Sequence, residues 1–203
     1  MSKKLAILVS GTGSLLEYFL IHDLAVDLVL SDRPCRGIDV VAKTYNIPRE
    51  PLHRIDFGEN FDRAGYTRKV LDALRRHKID VVAMAGFNTI FDPLIFSDYP
   101  QRILNTHPAL LPAFKGHYAV RDALEFGVKL TGCTIHIATP ELDAGPILAQ
   151  VAVEVLLDDT EGTLHERIKK VERVLYLQTI RNFMTTLQQN ERAPSSPLEM
   201  GLK

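Results

Sequence analysis

Short apolar runs alternate with amphipathic helical patterns through the first half of this chain. Three runs rich in Val, Leu, Ile and Ala are strand-like, namely residues 5–9, 26–30 and 81–85. Helical patterns lie between them, at residues 15–21, 38–45 and 62–77. Such alternation predicts an α/β fold of Rossmann-like type, in which helices cover both faces of a mostly parallel sheet.

The second half of the chain has a different pattern. A short strand at residues 102–104 is cut off by the polar segment that follows it, and residues 121–126 have a helical pattern. Two longer strands are predicted at 131–138 and 147–155, and their short connection favours an antiparallel pair.

A final helix is predicted to begin near residues 160–163, where Thr163 and Glu166 fit a capping box. Its apolar positions form one stripe, made of Ile168, Val171, Leu175 and Ile180. We expect one domain over residues 1–187, followed by a polar, flexible tail at 188–203. The domain would divide into two halves, one of about 1–100 and one of about 101–187.

The composition argues against several classes of protein. With 46% hydrophobic and 24% charged residues among 203, the chain has enough apolar material for a core without disulfides or metal. A formal net charge of −1 argues against nucleic-acid binding, and no apolar stretch approaches the roughly 18 residues of a membrane span. Cys35 and Cys133 form no CxxC pattern, which favours a reduced, cytoplasmic protein.

A glycine-rich segment, SGTGS at residues 10–14, lies between the first strand and the first helix. Glycines allow a sharp turn close to a ligand, and the N–H groups at a helix start attract anions. Leu16 stands where the dinucleotide fingerprint has its third glycine, and no Gly-Lys-Ser/Thr follows as in a P-loop. A phosphomonoester site is the favoured interpretation, the alternative being a turn that binds nothing.

Two polar segments carry the residues that suggest catalysis. Asn105 and His107 are two residues apart, so in an extended backbone their side chains project to the same side. Asp143 lies in a later loop that Gly145 and Pro146 make tight. A carboxylate orients a nearby imidazole, and an amide can donate to a developing oxyanion. These groups suit acyl transfer to an amine without a covalent enzyme intermediate, since no Ser or Cys lies among residues 105–112.

Structural interpretations of the same residues stay open at this point. A single histidine in a loop is commonly structural, and an aspartate in a tight loop is commonly a turn former. His107, His136 and Asp143 could also bind a metal, but their spacing matches no metal-binding pattern. We therefore expect no metal.

Five segments in this order and spacing resemble a known family. They are SGTGS (10–14), AGF (85–87), NTHPALLP (105–112), TGCTIH (131–136) and LDAGPI (142–147). Over about residues 4–185 the chain resembles the glycinamide ribonucleotide formyltransferases of the 10-formyltetrahydrofolate transferase superfamily. The resemblance implies that the co-substrate 10-formyltetrahydrofolate gives its formyl group to the amine of glycinamide ribonucleotide, a step of purine synthesis.

The resemblance also implies roles for individual residues. Asn105, His107 and Asp143 match the catalytic trio, in which Asn105 and a protonated His107 stabilise the oxyanion and Asp143 orients His107. The substrate would be bound by Gly11, Thr12, Gly13, Ser14, Leu15 and Glu172. The folate would be bound by Arg63, Phe87, Asn88, Thr89, Ile90, Phe91, Asn105, Thr139, Pro140, Glu141, Leu142 and Asp143.

Three positions depart from the family's usual pattern. Residues 88–91 are NTIF here and often Met-Arg-Ile-Leu in the family, which removes an arginine that could pair with the glutamate tail of folate. Leu15 stands where the family often has Asn, and Tyr118 stands where many relatives have His. These differences bear on folate affinity and substrate identity more than on the type of reaction.

Related activities remain as alternatives. Formyltetrahydrofolate deformylase and methionyl-tRNA formyltransferase share the core but carry a further domain, and sugar-amine formyltransferases have longer chains. A nucleotide-binding module without catalysis is an alternative of another class, although it has no need of all three residues of the trio. The expected partners are small molecules, with no nucleic acid and no membrane, and the expected assembly is a monomer or a homodimer.

Overall fold

The computed structural model describes residues 2–56, 58 and 60–192. Its strands are β1 Leu5–Val9, β2 Leu28–Ser31, β3 Arg49–Pro51, β4 Val81–Met84, β5 Ile103–His107, β6 Leu130–Ile137 and β7 Ile147–Glu154. They form one sheet in the order β3-β2-β1-β4-β5-β6-β7. The first five strands of that order are parallel, whereas β6 and β7 are antiparallel to their neighbours.

Helices cover both faces of this sheet. The α-helices are α1 Ser14–Ile21, α2 Arg63–Arg76, α3 Leu94–Asp98, α4 Ala119–Phe126 and α5 Glu161–Arg192, and a π-helix spans Gly37–Ala42. Successive residues of β1 alternate between two cores, so that Ile7 packs with α1 and α5 while Leu8 packs with α2. Full burial of one such side chain contributes about 1.5–3 kcal/mol, which anchors β1 at the centre of the fold.

The sequence predictions for the sheet are confirmed in class and arrangement. The sheet is mostly parallel with helices on both faces, and β6 and β7 form the antiparallel pair. The run at residues 5–9 is β1 itself, and the other predicted strands and helices agree with the observed elements to within a few residues at each end.

The predicted end of the fifth strand is wrong. β5 continues through Asn105 and Thr106 to His107 because β6 pairs with it along this length, Asn105 opposite His136 and His107 opposite Thr134. The polar side chains indicated a strand end in the sequence, but the hydrogen bonds of the neighbouring strand keep the backbone extended. The trio residues Asn105 and His107 therefore lie on a strand.

The start of the last helix is capped one turn earlier than the sequence indicates. α5 begins at Glu161, where the N–H of Thr160 donates to Thr163 Oγ1 at 2.9 Å and the N–H of Thr163 donates to Thr160 Oγ1 at 3.2 Å. This reciprocal pair replaces the predicted Thr163–Glu166 box, since Glu166 instead contacts Lys169. The helix runs on to Arg192, so residues 188–192 of the predicted tail are helical, and 193–203 lie outside the described residues.

Three elements have weak signals in the sequence. β3 is a three-residue strand at the sheet edge, with exposed or half-exposed side chains, and α3 is a single short turn of helix. The segment predicted as a helix at residues 38–45 is mostly a π-helix, in which the wider turn brings Gly37 against the glycine loop.

Candidate active site

A cavity of about 480 Å³ lies where β1, β4 and β5 end at their carboxyl sides. This is the location at which open parallel sheets bind ligands. Its walls combine the glycine loop, the segment after β4, the end of β5, the β6–β7 loop and one face of α5. Residues from all five segments of the sequence resemblance therefore line one cavity, although only His136 of the TGCTIH segment does so.

The glycine loop forms one end of the cavity. Gly13 has a φ of 73°, and a Cβ atom there would lie 2.4 Å from the Cα of Gly37 in the π-helix. Gly13 is therefore required to be glycine for this close approach, and a Cβ atom on Gly37 would be tight, at 3.1 Å from Val9 Cγ2 and 3.2 Å from the Cα of Gly13. Arg36 fixes the loop from outside, since its guanidinium donates to the carbonyl of Thr12 at 3.0 Å.

The start of α1 suits an anion. Gly13 provides no side-chain cap for this helix in the described structure, so the N–H groups of its first turn stay available to a ligand. Gly11, Thr12, Ser14 and Leu15 line the cavity with it. The side chain of Leu15 is 8% exposed and packs in the core, so that this position contributes backbone rather than side chain.

The structure brings Asn105, His107 and Asp143 together in the wall of this one cavity. Asp143 Oδ2 lies 3.3 Å from His107 Nδ1, and both side chains are 5% exposed. The N–H of Gly116 donates to the same carboxylate oxygen at 2.9 Å. Asp143 itself has a φ of 50°, a conformation that a tight loop imposes and that Asp and Asn tolerate better than most residues.

Both ring nitrogens of His107 face acceptors. Nε2 donates to the carbonyl of Phe114 at 2.7 Å, because a carbonyl only accepts, and Nδ1 faces the Asp143 carboxylate. An imidazolium, which donates from both nitrogens, matches these two partners. The imidazole is thus held between a strand and two loops.

His136, on β6, was not assigned a role among the site residues from the sequence. Its Nδ1 lies 3.0 Å from the carbonyl of Ile137 and therefore carries a proton, which leaves Nε2 as an acceptor in the neutral ring. Asn105 Nδ2 lies 3.3 Å from that Nε2 and donates to it. Burial lowers the pKa of His136, which favours the neutral ring despite the nearby Asp143. The cross-strand position of Asn105 and His136 could have indicated this pair only once the register was known.

Glu172 and its neighbours form another wall, on α5. Thr106 Oγ1 donates to Glu172 Oε1 at 2.8 Å, and burial raises the pKa of the Glu172 carboxyl. Burial also raises the pKa of the adjacent Cys133 thiol to about 12, so this cysteine stays a thiol at neutral pH. Glu172 therefore presents a carboxyl group of unusual basicity to the cavity.

Two further side chains of α5 were missed in the sequence. His165 and Lys169 line the cavity one turn apart from each other, and Lys169 precedes Glu172 by three residues. Burial lowers the pKa of His165, and the Lys169 ammonium lowers it further. His165, Lys169 and Glu172 are separated by four and three positions, which places them on one face of the helix. This spacing is the signal that could have identified the first two once Glu172 was assigned.

The segment after β4 forms an aromatic and polar wall. Phe87, Asn88, Thr89, Ile90 and Phe91 all line the cavity. The rings of Phe87 and Phe91 stack at 5.3 Å, and Ile90 is half-exposed. Such a wall suits a flat heterocycle.

Thr139, Pro140, Leu142 and Asp143 line the cavity from the β6–β7 loop. Two residues of the sequence prediction lie elsewhere. Glu141 is exposed and contacts Lys115 at 3.4 Å, and Arg63 is exposed in the first turn of α2. Neither belongs to the cavity wall in the described structure.

In residues 2–56, 58 and 60–192, no group of His, Cys, Asp and Glu side chains is arranged to hold a metal ion. None of the described helices is long and apolar enough to cross a membrane.

Comparison with known proteins gives one consistent result. The family model described as formyl transferase matches residues 3–180. The chain is 41% identical over 184 residues to the phosphoribosylglycinamide formyltransferase of Mycobacterium tuberculosis, which covers 87% of this chain and 83% of the relative. It is 32% identical over 197 residues to the enzyme of that name from Bacillus subtilis, and this match covers 94% of this chain and 100% of the relative.

A solved structure agrees with these relatives. The crystal structure of phosphoribosylglycinamide formyltransferase from Anaplasma phagocytophilum matches with a TM-score of 0.82 and 35% identity. The match covers 92% of this chain and 89% of that protein.

Proposed function

This chain belongs to the formyl transferase family, and we propose that it transfers the formyl group of 10-formyltetrahydrofolate to the amine of glycinamide ribonucleotide. One observation of the structure carries the proposal. A carboxylate, an imidazole and an amide meet in the cavity that also holds an anion-binding helix start. Phosphate, amine and formyl donor thus find matching groups within one site.

The substrate phosphate is assigned to the glycine loop. The N–H groups of Gly13 and Ser14 at the start of α1 are the donors, and the ammonium of Lys169 on the facing helix supplies a positive charge. Glu172 lies further along the same helix and binds polar hydrogens of the ribonucleotide. The amine is then directed toward Asn105 and His107.

The folate is assigned to the opposite end of the cavity. The wall of residues 87–91 and the β6–β7 loop enclose its pterin ring, and the formyl carbon lies beside the trio. Asn105 and Asp143 contact both molecules. Arg63 and Glu141 lie outside the wall, so we give them no part in holding the pterin.

The chemistry follows from the positions of these groups. The neutral amine attacks the formyl carbon, a C–N bond forms, and the carbonyl oxygen becomes an oxyanion. Asn105 donates to this oxyanion through the N–H that is not bonded to His136. His107 donates to it through Nε2–H, which leaves its hydrogen bond to the carbonyl of Phe114. The bond to N10 then breaks, and the proton of the amine passes to N10 with help from Asp143 through water.

The experiment is a formyl-transfer assay with 10-formyltetrahydrofolate, with and without glycinamide ribonucleotide. Formation of formylated product and tetrahydrofolate only when the amine is present supports the proposal. Release of formate without the amine would instead indicate a deformylase. Transfer to an amino sugar but not to glycinamide ribonucleotide would indicate a sugar-amine formyltransferase, and ligand binding without turnover would indicate a binding module.

The working unit and its location complete the proposal. We place the enzyme in the cytoplasm, as one or two chains, because its two cysteines are free thiols that a reducing compartment preserves. We keep residues 1–187 as one domain, since strands of both halves share one sheet and line one cavity. Sedimentation at several concentrations distinguishes a monomer from a homodimer.

A further inference from the structure

A buried carboxylate outside the trio lies directly behind the wall of residues 87–91. Asp32 follows β2, at the carboxyl end of the sheet, and its side chain has no exposed surface. It does not line the cavity. β2 neighbours β1, and β1 neighbours β4, so Asp32 comes next to the segments that follow those two strands.

Four side chains share the Asp32 carboxylate. Thr89 Oγ1 donates to Oδ2 at 2.7 Å, and the hydroxyl of Ser10 makes a second hydrogen bond. Arg33 Nε lies 3.3 Å from Oδ1, and Arg54 Nη2 lies 3.2 Å from Oδ2. Burial alone would raise the pKa of Asp32, but these hydrogen bonds and charges outweigh it and hold the pKa below its ordinary value. The group is therefore an anion in the folded protein.

Two of these partners connect the carboxylate to the cavity wall. The hydroxyl of Thr89 is itself part of the wall segment. Ser10 Oγ accepts from the backbone N–H of Asn88 at 2.9 Å while its own hydrogen points to Asp32. Consecutive residues of the wall are thus fixed to one buried charge, one through its side chain and one through its backbone.

The aromatic part of the wall rests on the same cluster. Tyr66 stacks on Phe91 at 6.5 Å, and Phe91 stacks on Phe87 at 5.3 Å. Burial, with the Asp32 charge beside it, raises the pKa of Tyr66 well above its ordinary value, so this hydroxyl stays protonated. The order of the stacked rings therefore depends on where the polar cluster holds residues 88 and 89.

We propose that Asp32 is a positioning residue which, through Thr89 and Ser10, fixes the cavity wall and thereby sets the affinity for the folate co-substrate. The inference rests on the proposed function, since it assigns the folate to this wall. It involves no contact of Asp32 with either substrate. Loss of the hydrogen bonds from Asp32 to Thr89 and Ser10 therefore raises the KM for 10-formyltetrahydrofolate. The KM for glycinamide ribonucleotide and kcat stay nearly unchanged.

The test uses Thr89→Val, which preserves shape and removes one hydroxyl, together with Asp32→Asn and the double variant. We expect Thr89→Val to raise the KM for 10-formyltetrahydrofolate roughly tenfold, the usual effect of losing one hydrogen bond to a charged group. Because both changes act on the same Thr89–Asp32 contact, the double variant is expected to show little more than the larger single effect. Asp32→Asn also leaves Arg54 without its anion, so Thr89→Val carries the decision if Asp32→Asn folds poorly.

A matched control is available on β6. Thr131 is 1% exposed, against 4% for Thr89, and its hydroxyl makes no hydrogen bond within the described part of the chain. Thr131→Val is expected to leave both KM values unchanged. The inference is overturned if the folded Thr89→Val enzyme has an unchanged KM for the folate. It is also overturned if kcat falls instead of the KM rising.

A binding measurement separates this inference from the proposed function. Tetrahydrofolate, the expected product, is titrated calorimetrically into wild type and Thr89→Val. Weaker binding by the variant supports the anchor even if turnover has another acceptor. Absence of formyl transfer by the wild type contradicts the proposed function, whereas equal tetrahydrofolate affinity of the two proteins contradicts the role of Asp32.

Discussion

Asn105 has an amide whose two ends differ in function, and a neighbouring histidine decides which end faces which way. His136 is neutral, with its proton on the nitrogen that faces the Ile137 carbonyl, so its other nitrogen only accepts. The NH₂ end of Asn105 must therefore turn toward His136, and its second N–H stays available for an oxyanion. A donor fixed before the reaction is the arrangement that stabilises a transition state most.

Replacing His136 tests this orientation. His136→Phe removes the acceptor, and we expect kcat to fall roughly 10- to 100-fold, up to the loss of one oxyanion donor. His136→Gln offers a carbonyl oxygen to Asn105, so it is expected to recover most of the activity. Steady-state kinetics of the two variants decide the matter, and equal losses in both would show that the amide does not depend on an acceptor at this position.

Glu172 gives the fold a pH dependence of known sign. Burial raises the pKa of this carboxyl above its ordinary 4.5, so the folded protein keeps a proton that the unfolded chain releases. Glu172 therefore contributes fully to the free energy of unfolding at a pH below its ordinary pKa. This contribution is lost as the pH rises through its raised pKa in the folded protein. Glu172→Gln removes this pH-dependent loss of stability, because glutamine does not titrate.

We accordingly expect Glu172→Gln to gain stability relative to wild type between about pH 5 and about pH 8, as measured by urea unfolding at both values. Formyl transfer is expected to weaken in the same variant, since the group to which we assign the ribonucleotide can no longer ionise to a carboxylate. Parallel pH profiles of stability for the two proteins would contradict the assignment of a raised pKa.

The contact between the glycine loop and the π-helix governs the site at the scale of elements. Gly13 starts α1 in a left-handed conformation and lies against Gly37, so the helix start and the π-helix are held at backbone distance. The wider turn of the π-helix and the absence of a side chain at two positions act together here. The position of the N–H groups to which we assign the phosphate is therefore set by packing between elements.

Gly13→Ala is expected to disrupt this contact. Its Cβ would clash with Gly37 Cα at 2.4 Å, and the φ of 73° would strain a residue that has a side chain. Together these effects lower the stability by an amount on the order of 1–3 kcal/mol. Gly58→Ala is the control, because no atom of the described residues lies within 4 Å of its Cβ and its φ is not in the left-handed region. Chemical unfolding measures the difference in stability, and a Gly13→Ala variant as stable as the control would contradict the account.

The sequence predicted the buried elements well and the polar ones less well. β1 and α1 follow from apolar periodicity alone, because burial on both sides of a sheet leaves a clear pattern. The end of β5 and the cap of α5 do not, since they depend on which neighbour completes the backbone hydrogen bonds. Short edge elements such as β3 have too few buried residues to leave a signal.

At the scale of the whole molecule, the site draws on parts of the chain far apart in sequence. The glycine loop and the aromatic wall come from the first hundred residues, whereas the trio and the α5 residues come from the second hundred. The sequence resemblance found those segments that carry a motif. It assigned no role to His136, Lys169 or Asp32, which were identified from register, helix face and the order of strands.

The proposed mechanism requires Asp143 to act on His107 during formyl transfer. Asp143→Asn is the most direct change, because asparagine keeps the size of the side chain and tolerates the φ of 50° at this position. The measurement is the rate of formyl transfer from 10-formyltetrahydrofolate to glycinamide ribonucleotide at saturating concentrations of both, with circular dichroism to verify the fold. We predict an intact fold and a rate lower by roughly 10²–10³. A folded Asp143→Asn enzyme with a rate close to that of the wild type would contradict the account.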